Sequence, residues 1–314
     1  MTLESQITSI AQGLQIDALG FVPLTQVHPS TQQIYSDWIA EGKHGSMDYL
    51  QNYLPQRFNP QSLLEGAQSA IVIACSYYPT TPQPPTAPQI AKYALGRDYH
   101  KVLPKLLTEL GQKIHQEVAP HRFRALVDTA PFLERYWAEQ ASLGFIGRHH
   151  NLIIPKVGSF LFLGELLSTL ELQSQPLTFR GCGKCQRCIQ ACPTGALSDG
   201  SLDARKCINY LTIEHRGEID AHLSTQFGKR LYGCDTCQDV CPYNHRPSPT
   251  RLFPAAPQLL QISAKDLTHF TEESYARFFY GTACTRAKFQ GIARNAQIFL
   301  QNNPTSSANS SSDQ

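Results

Sequence analysis

The stretch CGKCQRCIQACP at residues 182–193 carries four cysteines spaced as Cys-x2-Cys-x2-Cys-x3-Cys-Pro. A second run, CDTCQDVCP at residues 234–242, has the spacing Cys-x2-Cys-x3-Cys-Pro, and Cys207 stands alone between the two runs. Loops of two residues let successive thiolates converge on one metal centre, and each proline turns the chain away after its run. Most of the ten cysteines in the chain belong to this arrangement, which predicts a metal-binding module.

The first run resembles that of bacterial ferredoxins with two [4Fe–4S] clusters, in which the fourth cysteine of a run ligates the other cluster. The second run lacks a nearby first cysteine, so Cys207 is assigned to it by elimination. The resemblance implies one cluster on Cys182, Cys185, Cys188 and Cys241. It implies a second cluster on Cys192, Cys207, Cys234 and Cys237.

Two other frameworks use an even number of cysteines. Zinc sites with four thiolates are one, although zinc does not require the long first run. Disulfides are the other, and residues 1–20 show neither the basic region nor the apolar core of a secretory signal. Cys75, in an apolar run, and Cys284 are expected to be ordinary buried thiols.

The composition is that of a globular protein. The 314 residues are 41% hydrophobic and 17% charged, with a formal net charge of +2, which neither indicates nor excludes a nucleic-acid partner. No apolar stretch reaches the ~18 residues of a membrane helix, since Glu165 interrupts the best one, residues 160–170. We expect a cytoplasmic monomer that does not enter membranes.

The chain divides into four parts by pattern. Residues 1–176 mix strands and helices without a regular βαβ rhythm, which predicts an α+β or layered α/β domain. Helices are expected at residues 3–19, 101–118 and 131–143, and strands at residues 70–78, 124–128, 151–155 and 159–165. A ferredoxin-like domain at 177–250 and a helical segment at 251–301 follow, and the polar residues 302–314 are expected to be disordered.

A redox module attached to a large separate domain predicts a catalytic centre in that domain. No GxGxxG follows a strand, so a Rossmann nicotinamide or flavin site lacks support. The residues alone leave the second cofactor open.

From Arg57 to Asn295 the chain resembles the epoxyqueuosine reductase family. The motifs that carry the resemblance are VDTAP at 127–131, ER at 134–135, WAE at 137–139, LGFIGRHHN at 143–151, GSF at 158–160, CINYLT at 207–212 and LYGCDTCQDVCPYN at 231–244, together with the first cysteine run. Many family members carry a C-terminal helical-repeat extension, whereas this sequence stops soon after Asn295, so a short form is expected.

The resemblance implies that residues 1–176 bind cobalamin, which the two clusters supply with electrons from an external low-potential donor. It implies a transfer RNA substrate carrying epoxyqueuosine, and it makes Asp128 the proton donor. A carboxylic acid with a raised pKa suits that role. The cofactor-lining residues it suggests are Arg57, Tyr99, His100, Arg148, His150, Ser159, Thr212 and Asp235.

Structural roles compete with several of these assignments. Asp128 precedes a predicted helix, where an aspartate usually caps the first turn. Asp235 lies between two cysteines, where a turn-forming role is equally good. His149 and His150 invite axial ligation of cobalt, but the family is thought to bind cobalamin without a protein histidine ligand.

The segment 275–294 is the best candidate for an RNA contact. Basic residues supply phosphate contacts and aromatic residues stack on unpaired bases, although periodic aromatic residues in a helix also form cores. The candidate RNA-binding residues are Arg277, Arg286, Lys288 and Arg294.

Two rival functions follow from the same features. A corrinoid and iron–sulfur reductive dehalogenase has a similar architecture, but typically carries a twin-arginine export signal that is not found here. A ferredoxin-type electron carrier without catalysis would not need a large separate domain.

Overall fold

A computed structural model describes residues 2–176, Phe179 and 181–304, without the side chain of Lys265. The helices are α1 Leu3–Gln12, α2 Pro29–Ala40, α3 Leu54–Phe58, α4 Tyr99–Glu117, α5 Glu134–Gln140, α6 Arg187–Ala191, α7 Ile208–Ile213, α8 Ala221–Ser224, α9 Thr236–Asp239, α10 Pro257–Leu260, α11 Ala264–His269, α12 Glu272–Phe278 and α13 Lys288–Asn302. The strands are β1 Ala18–Pro23, β2 Ser69–Ser76, β3 Gln89–Ile90, β4 Phe123–Leu126, β5 Phe145–Ile146, β6 Leu152–Ile153, β7 Leu161–Ser168, β8 Leu197–Ser198, β9 Ser201–Leu202 and β10 Arg230–Tyr232.

A four-stranded antiparallel sheet with the order β1-β2-β7-β4 organises the first half of the chain. The central strand β2 is buried at every residue, which explains its continuous apolar sequence. Its Ile71 lies opposite both Phe21 of β1 and Leu166 of β7. The register at β7 also places Glu165 opposite Leu126, two residues before Asp128.

Helices cover both faces of this sheet. On one face, α1 and α4 pack against the sheet through Ile7, Leu107 and Leu110, which are fully buried. On the other face lies α5, whose Trp137 and Ala138 are buried against the sheet. This layered arrangement of mixed helix and sheet confirms the predicted fold class.

The cysteine module is joined to the sheet by a buried polar network. Ser159, just before β7, accepts a hydrogen bond from Gln238 Nε2 at its carbonyl oxygen, at 2.7 Å. Its hydroxyl accepts one from Asn244 Nδ2 at 2.8 Å, and its backbone N–H donates to Asn244 Oδ1 at 2.7 Å. Because unpaired buried polar groups are costly, this network fixes the orientation of the module.

The C-terminal helices pack against the same module. Asn295 of α13 is fully buried and donates hydrogen bonds to the carbonyl oxygens of Thr212 and Leu231, at 2.8 and 3.0 Å. Phe279 and Phe299 complete a core with residues of β10. Within the described ranges, no helix is long and apolar enough to cross a lipid bilayer.

Several expected element boundaries differ from the observed ones, and two of the differences change the elements around the sheet. The first helix ends at Gln12 rather than residue 19, and the chain then forms the edge strand β1 from Ala18. The helix expected from Pro131 begins at Glu134, after turns. The four-part domain division stays a prediction, and residues 305–314 of the expected tail lie outside the described residues.

Candidate active site

The cluster cysteines form two sets that can be recognised from their mutual electrostatic effects. Burial, and then the neighbouring Cys182, Cys188 and Cys185, raise the pKa of Cys241. The pKa of Cys207 rises to about 11, first because it is buried and then because Cys234 and Cys192 lie nearby.

The remaining shifts agree with this division. Burial and then Cys207 and Cys234 raise the pKa of Cys237, and Cys188 has a smaller effect on the same thiol. The thiols that affect one another most are members of the same expected ligand set, and the assignment of ligands to clusters stays a prediction. Among the described residues, no group of three or more His, Cys, Asp or Glu side chains is arranged to hold a single metal ion.

A cavity of about 280 Å³ opens beside one of the two sets. Its wall includes the thiol-bearing residues Cys192, Cys207, Cys234 and Cys237, which we call the inner set. The other four, Cys182, Cys185, Cys188 and Cys241, line neither this cavity nor the next, and we call them the outer set. The two sets therefore have different positions relative to the cavity.

A second cavity, of about 210 Å³, adjoins the first and is lined in part by residues 161–163 of β7. The two cavities share Tyr77, Tyr93, Arg135 and Asn151 as wall residues. The second is also lined by Tyr99, Asp128 and Glu134. The two cavities are therefore neighbours, one beside the inner cysteine set and the other beside Asp128.

Asp128 follows β4 with a φ of +37°, in the left-handed region where aspartate and asparagine are the usual non-glycine residues. Its Oδ2 accepts a hydrogen bond from the Tyr99 hydroxyl at 2.6 Å and lies 3.0 Å from His100 Nε2. The residue that precedes α5 is Leu133, not Asp128. The helix-capping alternative is therefore wrong.

The carboxylate and the imidazole of this pair shift each other's pKa. Burial alone would raise the pKa of Asp128, but hydrogen bonds from His100 and Tyr99 hold it below its ordinary value. Burial alone would lower the pKa of His100, but its hydrogen bonds with Asp128 and Asp98 raise it to about 9. At pH 7 the proton therefore resides on His100, one hydrogen bond from Asp128, whereas the sequence-based expectation placed it on the aspartate.

Two further carboxyl groups lie behind Asp128. Glu134 Oε1 accepts a hydrogen bond from the Asp128 backbone N–H at 2.5 Å. Burial and then the charge of Asp128 raise the pKa of Glu134 to about 8. Glu165 of β7 is fully buried, neither of its oxygens has a partner among the described atoms, and burial followed by Glu134 raises its pKa well above the ordinary value. Glu134 is thus a neutral acid at pH 7, and the shift of Glu165 favours its neutral form.

Sequence reasoning missed the role of these two glutamates. Glu165 drew attention only because it interrupts an apolar stretch, and Glu134 only as part of a motif. An ionisable residue inside a strand that is otherwise apolar was the available signal, since such a residue is buried at a cost unless it is neutral.

The paired histidines are neutral imidazoles in this site. Burial, followed by the neighbouring His150, lowers the pKa of His149 to about 4. Burial and then the charge of Arg135 lower the pKa of His150, which lines the first cavity. The Nε2 atom of His150 is buried and has no partner among the described residues. A cavity with an unpaired nitrogen, two tyrosines and an adjoining thiol set fits a bound redox cofactor.

The structure brings only some of the predicted cofactor-lining residues together. Tyr99, His150, Ser159 and Asp235 line one of the two cavities. Asp235 also accepts a hydrogen bond from the Lys92 backbone N–H at 2.8 Å. His100 reaches the site through Asp128.

The other three predicted residues have different neighbours. Arg57 is buried over the ring of Tyr35, 5.7 Å from its centroid. Arg148 pairs with Asp199, and its backbone N–H lies 3.4 Å from the sulfur of Cys182 in the outer set. The fully buried hydroxyl of Thr212 donates to the Ile208 carbonyl oxygen and accepts from the Gly233 N–H.

The candidate RNA-binding residues fall into two groups. Arg286 and Lys288 line an open cleft of about 610 Å³ that also includes His100 and Arg124, on the outer side of the Asp128 loop. Arg294 instead points inward and donates to the carbonyl oxygens of Leu211, His215 and Gly217. Arg277 lies exposed on α12, outside this cleft.

Arg286 is already engaged in the cleft. Its guanidinium forms a two-point ion pair with Glu214, at 2.8 and 2.9 Å, and lies 5.5 Å from the centroid of the Tyr49 ring. Lys288 is exposed and makes no ion pair with a described residue. It is therefore the freer of the two cleft cations.

Two family models match the chain. The family described as "Epoxyqueuosine reductase QueG, DUF1730" matches residues 57–129, and the "4Fe-4S double cluster binding domain" matches residues 181–244. The second match supports two [4Fe–4S] clusters on the cysteine module.

Curated relatives cover most of the chain. The epoxyqueuosine reductase of Cellulophaga algicola is 38% identical over 261 residues, which are 82% of this chain and 85% of that protein. The epoxyqueuosine reductase of Escherichia coli is 37% identical over 306 residues, which are 93% of this chain and 78% of that one.

Solved structures agree with these sequence relatives. The epoxyqueuosine reductase of Streptococcus thermophilus superimposes with a TM-score of 0.88 at 30% identity, over 96% of this chain and 82% of that one. An epoxyqueuosine reductase crystallised with a tRNA-Tyr epoxyqueuosine-modified stem loop gives a TM-score of 0.83 at 26% identity, over 96% and 81%. The chain belongs to the epoxyqueuosine reductase family.

Proposed function

We propose that this protein reduces epoxyqueuosine to queuosine in the anticodon loop of a transfer RNA. One observation carries the proposal beyond family membership. Two adjoining cavities with four wall residues in common lie between the inner cysteine set, where electrons would arrive, and Asp128 and its neighbours, where protons are held. A reductase that removes an epoxide oxygen needs both supplies at one place.

We infer that the two adjoining cavities form part of a cobalamin site, and that cobalamin bound there would supply the reducing metal centre. The residues that would hold it are those of the shared wall, Tyr77, Tyr93, Arg135 and Asn151, together with His150. Arg135 is itself fixed by a hydrogen bond that it donates to the His150 carbonyl oxygen. Cobalamin binding is checked by the cob(II)alamin absorption and EPR signal of the reconstituted protein.

The protein's own side chains would supply the protons. Conversion of an epoxide to an alkene consumes two electrons and two protons and releases one water. Asp128 would pass to the epoxide oxygen a proton that its ionised Oδ2 first takes from His100, which is protonated at pH 7 and lies 3.0 Å away. Glu134, neutral at pH 7 and on the wall of the same cavity, is the source of the second proton.

The substrate would approach from the cleft that contains His100, Arg124, Arg286 and Lys288. A cationic cleft on the outer side of the Asp128 loop can hold anticodon-loop phosphates while the modified base enters the cavity. A transfer RNA substrate also implies a cytoplasmic protein, and two-electron reduction implies an external low-potential donor.

An anaerobic turnover assay tests the function. The reconstituted protein, with cobalamin and a chemical reductant, should convert an epoxyqueuosine-containing anticodon stem loop much faster than the free nucleoside. The reason is that phosphate contacts hold the base in place. Equal turnover of both substrates, or none of either by protein with full clusters and bound cobalamin, would contradict the proposal.

A further inference from the structure

The positions of the two cysteine sets define a direction for electrons. Only the inner set lines the cavity, whereas the outer set does not line it and borders the inner one through Cys188 and Cys237. Because electron transfer slows steeply with distance, the inner cluster would serve the cavity and the outer cluster would receive electrons from an outside donor. The donor then has to dock where the outer set approaches the surface.

The loop around the outer set is open to solvent and positively charged. A Cβ added at Gly181 or Gly183 would meet no atom within 4 Å. Lys184 and Arg187, which flank Cys185, are exposed and form no ion pair with a described residue. Residues 181–192 contain no Asp or Glu, and nearby Asp199 is already paired with Arg148.

An apolar patch lies beside these charges. Tyr243 is 38% exposed, and its hydroxyl donates to the Gly181 carbonyl oxygen at 3.3 Å. Ile146 is 37% exposed and follows Phe145, whose ring packs 5.3 Å from that of Tyr243. Phe145 shares a small core with Cys182 and Cys241 of the outer set. Two of the large apolar side chains exposed on the described surface therefore border the outer cluster.

We propose that the face formed by Ile146, Lys184, Arg187 and Tyr243, here called the entry face, docks an acidic one-electron carrier protein. A small apolar centre beside unpaired cations is the composition of weak, transient interfaces between redox partners. The charges attract an acidic surface and raise the association rate, while the small apolar area permits rapid release. The carrier loses one electron and the outer cluster gains it, so two encounters supply the two electrons of one reduction.

The entry face is separate from the RNA cleft, although both are cationic. None of its residues lines the cleft that holds Lys288. The inference rests on the electron flow of the proposed function but not on its RNA substrate. A test that follows cluster reduction without RNA or cobalamin therefore fails independently of the transfer RNA proposal.

Anaerobic stopped-flow absorbance is the direct test. Reduced plant-type [2Fe–2S] ferredoxin, an acidic low-potential carrier, is mixed with protein that holds both oxidised clusters. The double variant Lys184→Glu/Arg187→Glu should lower the second-order rate constant about tenfold at low salt, within the 10–10³-fold range of electrostatic steering. Its rate should also depend less on ionic strength, and calorimetry with oxidised ferredoxin should show weaker binding.

Controls separate docking from damage to the cluster. Photoreduced 5-deazariboflavin, a small neutral donor that needs no docking face, should reduce wild type and variant equally. Lys105→Glu on α4 reverses an exposed charge outside the entry face and should leave the ferredoxin rate unchanged. If the charge reversal impairs cluster assembly, Lys184→Gln/Arg187→Gln provides the same comparison with a smaller expected loss.

Two results would overturn the inference. One is an unchanged ferredoxin rate constant and salt dependence in a charge-altered variant with full clusters. The other is weaker binding of the RNA stem loop by that variant with the ferredoxin rate intact, which would make the entry face an RNA surface instead.

Discussion

Replacement of Asp128 by asparagine should abolish most turnover while leaving the fold almost unchanged. Asparagine tolerates the left-handed φ of +37° and keeps the side-chain shape, so the loop after β4 should retain its path. An amide cannot deliver a proton, and general acids contribute about 10²–10⁴-fold to rate. Turnover of the stem loop should fall within that range, with clusters and cobalamin still bound.

The expected effect on stability is much smaller, and the exposure of the pair explains why. A rise in the pKa of His100 from 6.5 to about 9 would correspond to ~3 kcal/mol at 1.36 kcal/mol per unit. The His100 and Asp128 side chains are 34% and 50% exposed, however, so solvent screening reduces the contribution to stability to about 1 kcal/mol or less. Asp98 supplies part of the shift as well.

The sign of the pH dependence follows from the two shifts. Because the folded pKa of His100 is raised, its contribution is complete below pH 6.5 and is lost as the pH rises through about 9. Because the folded pKa of Asp128 is lowered, its contribution is present above pH 3.8 and is lost as the pH falls through the folded value. The stabilities of wild type and Asp128→Asn should therefore differ most between about pH 4 and 6.5 and converge above pH 9.

Turnover kinetics and an NMR titration of His100 check this prediction together. In Asp128→Asn the pKa of His100 should fall from about 9 toward 6.5, since one of its two anionic partners is removed. Asp98→Asn is the matched control, because it removes the other partner at a residue outside both cavities. Near-normal turnover by Asp128→Asn, or an equal loss in Asp98→Asn, would refute Asp128 as the proton donor.

Three other changes give separable outcomes. Cys188→Ser and Cys207→Ser should each remove one cluster, whereas Cys75→Ser should keep about eight irons; iron analysis near four in the wild type would contradict the assignment. Glu165→Leu should raise the unfolding temperature, because it removes a buried carboxyl group without a hydrogen-bond partner, whose burial costs about 1–3 kcal/mol of stability. The pKa of that carboxyl is higher in the folded protein than the 4.5 of the unfolded chain, so its burial costs more stability as the pH rises. The gain in unfolding temperature should therefore be larger at pH 9 than at pH 5. An equal gain at the two pH values would argue against a neutral acid. Lys288→Gln should weaken stem-loop binding and reduce by about 0.7 the slope of the logarithm of the binding constant against the logarithm of salt concentration. If binding titrations at several salt concentrations match those of the wild type, Lys288 does not contact the RNA.

Local sequence determined the parts of this protein that depend on spacing over a few residues. The cysteine runs predicted a metal-binding module, because loops of two or three residues leave a chain little freedom in where its thiolates lie. The division into two ligand sets came from the resemblance to two-cluster ferredoxins. The apolar run of β2 likewise predicted a buried strand, since burial on both faces requires continuous apolar residues. The motif that contains Asp128 also drew attention to that residue.

Tertiary packing alone decided what those residues contact. Tyr99 and Asp128 are 29 positions apart, and they meet because α4 and β4 pack at the same end of the sheet. Arg294 belonged by composition to an RNA-binding segment, but the packing of α13 turns it toward backbone carbonyl groups. Glu165 appeared only as a break in an apolar stretch until the register of β7 placed it opposite Leu126, close enough to Asp128 for the two carboxyl groups to interact. Short-range spacing is encoded in the covalent chain, whereas these contacts depend on how distant elements pack into one core. For that reason the sequence identified the chemistry, but only the fold assembled the site.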